Sequence, residues 1–92
     1  MALKKPNHSL IVVALYKITA TEGIKWSDIT AAIESEYQVK NWLTMVRTPL
    51  QALKNAGLLA RTPDLNSEVW YRIPTDNALS DQEVLRAVGL AA

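Results

Sequence analysis

The sequence predicts a mainly α fold with a small β-hairpin: a three-helix core, two strands and a C-terminal helix. Three observations carry this expectation. Apolar residues recur at helical spacing in three successive stretches, the third stretch stops at Gly57 and gives way to alternating strand pattern, and a capping signature at Ser80 opens a last helix. At 92 residues the chain is expected to form one domain with a modest core and little room for an elaborate active site.

A flexible arm over 1–8 precedes a first helix from about Ser9 to Ala20, capped by Asn7 or Ser9 and closed near Gly23. Leu10, Ile11, Ala14, Leu15 and Ile18 form one apolar arc. Val12, Val13 and Tyr16 fall outside it, so this helix needs a second cover, either the C-terminal segment or another subunit. Trp26-Ser27-Asp28-Ile29 opens a second helix, with Ser27 as N-cap and Ile29, Ala32 and Ile33 inward; it ends near Glu36. The turn Tyr37-Gln38-Val39-Lys40 follows, with Val39 plugging the corner.

The third helix runs from Asn41, as N-cap, to Ala56, with Trp42, Leu43, Val46, Leu50 and Leu53 inward. Pro49 interrupts it, because an interior proline removes a hydrogen bond and crowds the carbonyl four residues back. Two outcomes are open: a kink, or a break near Thr48 with a restart at Pro49. The apolar spacing passes the proline without a phase change, which favours the kink. Beyond Gly57, Leu58 to Thr62 and Glu68 to Ile73 read as paired strands around a Pro63–Ser67 loop, with Trp70 on the opposite face from Tyr71 and available to a protein partner. Ser80-Asp81-Gln82-Glu83 has capping-box spacing, Val84, Leu85 and Val88 share a face, and Gly89 terminates.

Composition narrows the function. The chain has no cysteine and one histidine, His8, which removes disulfides, thiol nucleophiles and any self-sufficient histidine metal site. No metal and no cofactor is expected. The run Leu10–Leu15 after Lys4-Lys5 is too short for a membrane span and continues as an amphipathic soluble helix, so a cytoplasmic protein without a membrane partner is expected. Net charge is only +1, yet it is polarised. Residues 1–61 carry eight basic and four acidic side chains, a net +4; residues 62–92 carry two and five, a net −3. An ordinary solvated surface is the plainer reading of that division.

The segments Val46-Arg47-Thr48-Pro49-Leu50-Gln51-Ala52-Leu53, Ala56-Gly57-Leu58-Leu59-Ala60-Arg61 and Trp70-Tyr71-Arg72-Ile73 fall in a characteristic order. With Trp26-Ser27-Asp28-Ile29, they resemble the winged helix-turn-helix family of small bacterial, plasmid and phage transcription regulators, over about Ser9 to Ile73. The resemblance implies a domain over 9–73, a recognition helix before Gly57, a two-stranded wing and a packing or dimerisation helix within 74–92. Two features depart from the family: Pro49 inside the reading helix, and acidic Asp64 and Glu68 in the wing, where many members carry Arg or Lys.

Opposite the apolar stripe of the third helix stand Asn41, Thr44, Thr48, Gln51 and Asn55, flanked by Lys40, Arg47 and Lys54 and free of acids. Asn and Gln can pair with adenine, Arg with guanine, and Thr with base edges or phosphate, so double-stranded DNA is the expected partner. Lys25 and Ser27 stand where a phosphate or a plain helix cap would suit equally. Arg61 and Arg72 on the wing could meet backbone phosphates, with a cross-strand pair to Glu68 as the rival. Lys4 and Lys5 could form a groove-reaching arm. A homodimer is expected through Val12, Val13, Tyr16, Val84, Leu85 and Val88, favouring two half-sites a helical turn apart.

Glu34 and Glu36 point in different directions, and no phosphate-cradling glycine loop or nucleophile motif occurs. Enzyme activity is therefore not expected. The expectation is a sequence-specific transcription regulator, such as a repressor. The rivals are a winged-helix protein-interaction module and a plasmid or phage segregation or replication protein.

Overall fold

Asn7 starts the first helix by holding extended backbone while its side-chain oxygen accepts from the N–H groups of Ser9 and Leu10, at 2.9 and 3.3 Å. The computed structural model describes residues 5, 7–62 and 68–90. Their order is α1 (His8–Ile18), β1 (Ile24–Lys25), α2 (Trp26–Glu34), a π-helical turn (Leu43–Arg47) leading into α3 (Thr48–Asn55), β2 (Leu59–Arg61), β3 (Val69–Arg72) and α4 (Asp81–Ala87). Among the described residues the chain is thus mainly helical, with a three-stranded antiparallel sheet in the order β1-β3-β2. The arm apart from Lys5, Asn7 and His8, including Lys4, and the Pro63–Ser67 loop with Asp64 lie outside the described residues.

Two stripes of α1 are buried, Ile11 with Leu15 and Val12 with Tyr16, each pair one turn apart. They join Ile29 and Ile33 of α2, Val46, Leu50, Leu53, Leu59, Trp70 and Val84 in one core. The second cover that α1 needs is α4, which packs against it. Tyr16 Oη accepts from the Leu79 N–H at 3.1 Å, and Lys17 pairs with Asp81 at 3.1 Å. This corrects the expected dimer surface: Val12, Tyr16 and Val84 are 0, 3 and 1% exposed within one chain, and Val13, Leu85 and Val88 are half-buried. No helix among the described residues is long and apolar enough to cross a membrane.

Four further sequence expectations change. α1 ends at Ile18, where the buried Thr19 hydroxyl bonds the Leu15 and Tyr16 carbonyls. Gly23 instead turns the chain into the unforeseen β1: its φ is +95°, and a Cβ there would lie 2.6 Å from Val69 Cγ1. α2 begins at Trp26, whose N–H donates to the Glu68 carbonyl at 3.1 Å, so Lys25 occupies the cap position and Ser27 lies inside the first turn. The strand faces are inverted. Register pairs Arg61 with Trp70 and Leu59 with Arg72, and this face turns inward, leaving Trp70 2% exposed and Ile73 37% exposed.

Pro49 produces neither a simple kink nor a break. Thr48 donates its N–H to the Leu43 carbonyl five residues back, widening the turn before a proline that has no N–H to return to Met45. Backbone at Arg47 and Thr48 stays helical, so the rod continues. The extra residue in that turn swings Leu43 out to 65% exposure, against the expected inward position, while Val46, Leu50 and Leu53 remain fully buried.

Both helix ends marked by glycine and by the capping box match the sequence reading. Gly57, at φ +82°, lets its N–H bond the Lys54 carbonyl and that of Leu58 bond the Leu53 carbonyl, both at 3.0 Å. Ser80 and Glu83 exchange reciprocal side-chain to backbone bonds at the start of α4. Tyr37, expected in a turn, is 5% exposed, and Val39 packs against the core as anticipated.

Candidate nucleic-acid interface

The outer side of the helical run Leu43–Arg47 and Thr48–Asn55 is where the expected polar residues gather. Lys40, Asn41, Thr44, Thr48, Gln51, Lys54 and Asn55 are all exposed. Local bonding organises several of them. Asn41 Oδ1 accepts from the N–H groups of Leu43 and Thr44, at 3.0 and 3.3 Å, so its side chain is first a helix cap. The Thr48 hydroxyl donates to the Leu43 carbonyl at 2.9 Å, tying together the wide turn. Gln51 Nε2 donates to Asn55 Oδ1 at 3.0 Å, the spacing of one helical turn.

Arg47 behaves differently from the outward-facing base reader expected of it. Its Nη1 and Nη2 donate to Glu68 Oε1 and Oε2, both at 2.8 Å, and its guanidinium lies 4.1 Å from the Trp26 ring centroid. Trp26 in turn meets Trp42 edge to face, with centroids 6.4 Å apart. Trp70 Nε1 also donates to Glu68 Oε1, at 3.1 Å. The hydrogen bonds from Arg47 hold the Glu68 carboxyl below the usual carboxylate range against the opposing effect of burial, and Glu68 raises Arg47 in return. The cluster therefore bolts α2, the third helix and β3 together.

The wing arginines divide. Arg61 lies 3.6 Å from Glu68 Oε1 and 5.8 Å from the Trp70 ring, so the cross-strand pair to Glu68 is formed. Arg72 lies 5.1 Å from the Tyr16 ring, toward α1 and away from Gln51 and Thr48. Lys25 and Ser27 are exposed at the start of α2. Between the third helix and the sheet, Leu43, Arg47, Thr48, Gln51, Arg61 and Trp70 line an open groove of about 330 Å³.

Sequence reasoning missed two participants. Glu68 was weighed only as a strand neighbour, and its partner Arg47 lies on another element. Leu43 was assigned to the core by regular helical phase, and only the effect of Pro49 on the preceding turn could have moved it. No family, curated protein or solved structure matches the chain.

Proposed function

We propose that this chain is a winged helix-turn-helix protein that binds double-stranded DNA, placing the outer side of its third helix in the major groove as a small transcription regulator of the cytoplasm. One observation carries the reading: Thr44, Thr48, Gln51 and Asn55 form an exposed, acid-free polar strip between Lys40 and Lys54. Hydroxyl and amide groups suit base edges, and lysines at either end suit phosphates on the two flanking strands. Arg47 serves this surface as a positioning residue, since its guanidinium is committed to Glu68 and Trp26. The reading needs no second copy, because the side chains that would have joined one are mostly used within the chain.

A protein-interaction module drew its support from an exposed Trp70, and at 2% exposure Trp70 cannot serve that role. Gel shifts on random duplexes over a salt series test the proposal. Binding should fall steeply from low to moderate salt, and Lys40→Ala with Lys54→Ala should flatten the slope by about two phosphate contacts. Retention that ignores salt, or none above non-specific competitor, refutes it.

A further inference from the structure

If the face enters a duplex as just proposed, its side-chain bonding decides which bases it can take. Guanine is read most often by an arginine fork on O6 and N7. Both arginines of the groove are turned to Glu68, Arg47 through two 2.8 Å bonds and Arg61 at 3.6 Å. For Arg47 to take guanine, it must abandon the half-buried carboxylate and leave the Trp26 ring. The groove therefore offers no arginine fork ready for G·C.

Adenine and thymine meet a better match. The bond from Gln51 Nε2 to Asn55 orients the amide and uses one of its two N–H groups. The other N–H and the amide oxygen form the donor and acceptor pair that adenine N7 and N6 require. Leu43 stands on the same groove, 65% exposed because the wide turn rotates it outward. Thr48 spends its hydroxyl hydrogen on the Leu43 carbonyl, leaving its methyl group as a second apolar contact. In the major groove one base feature is apolar, the 5-methyl of thymine.

We infer that this face selects A·T pairs, with Gln51 taking the adenine edge and Leu43, beside Thr48, covering a thymine methyl. The assignment rests on the DNA-binding reading and names the duplex class it recognises. Its test is selection from random duplexes with the full chain, then anisotropy titration of the selected duplex. The same duplex is also titrated with thymine replaced by uracil, or adenine by 7-deazaadenine.

The selected core should consist of A·T pairs. Uracil should weaken the natural protein about fourfold, the worth of one buried methyl, and leave Leu43→Ala unaffected. 7-Deazaadenine should cost about tenfold in the natural protein and little in Gln51→Ala. Both positions are exposed, so circular dichroism should show both variants folded. A core of G·C pairs, or base substitutions felt equally by the natural protein and the variants, overturns the base assignment while leaving DNA binding intact. A chain that retains no duplex above competitor overturns both.

Discussion

Arg47 and Glu68, 21 residues apart in the chain, meet as a fork of two parallel 2.8 Å bonds joining the third helix to the edge of β3. The pair does more than neutralise two charges. Glu68 also accepts from Trp70 Nε1, and its backbone carbonyl accepts the first N–H of α2, so one residue fixes the positions of three elements. The sheet and the third helix are thereby set at one spacing, which is the spacing a duplex would meet.

Arg47→Ala should therefore cost stability before it costs selectivity. Arg47 is 37% exposed at its side chain, so solvent screening limits the loss to about 1–2 kcal/mol in urea unfolding. In DNA titrations, affinity should fall by a similar factor on every duplex, because the variant disturbs the frame and leaves Gln51 in place. A loss confined to one base position would make Arg47 a base reader.

Acid should loosen the same joint. Glu68 is held below its ordinary value chiefly by the Arg47 hydrogen bonds, so the folded form keeps its charge at pH values where the unfolded chain has taken up a proton. The stabilisation is complete above about pH 4.3, the ordinary glutamate value, and is lost as pH falls through the folded value. Glu83, lowered mainly by the Ser80 backbone hydrogen bond, shifts in the same direction. Denaturant midpoints measured from about pH 6 to about pH 3 should fall less steeply in Glu68→Gln than in the natural protein.

Local signals in the sequence were legible and long-range facing was not. Asn7, Asn41, Gly57 and Ser80 act on backbone groups within a few residues, so their chemistry can be read without knowing the fold. The alternation from Glu68 to Arg72 defines two strand faces, but only packing decides which is inside; the large indole of Trp70 took the core. β1 is two residues long, too short to leave a pattern, and exists because Gly23 allows close approach to Val69. The outward strip of the third helix was legible because helical phase survives one wide turn at Thr48, Gln51 and Asn55. At Leu43, on the far side of that turn, it does not.

Gly57→Ala and Gly23→Ala separate backbone strain from crowding. Both glycines have positive φ, but nothing lies within 4 Å of a Cβ at Gly57, whereas Val69 Cγ1 lies 2.6 Å from one at Gly23. Gly57→Ala should cost about 1 kcal/mol of conformational strain. Gly23→Ala should cost about 2–4 kcal/mol, since Val69 or the strand must also move. Equal losses in thermal unfolding would show that Val69 yields freely.

Pro49→Ala tests whether the proline causes the wide turn. An alanine restores an N–H that can reach the Met45 carbonyl and removes the ring that crowds it, so the π-helical turn loses its reason. The run should then close as a regular helix, with the Thr48 N–H moving from Leu43 to Thr44 and Leu43 turning toward the face it shares with Val46 and Leu50. Stability should hold or rise by about 1 kcal/mol, while affinity for the selected duplex falls because Leu43 leaves the groove. Amide hydrogen exchange at residues 48 and 49, measured beside the DNA titration, reads both changes. If Thr48 still bonds Leu43 in the variant, the wide turn belongs to the surrounding packing, and the exposure of Leu43 has another source.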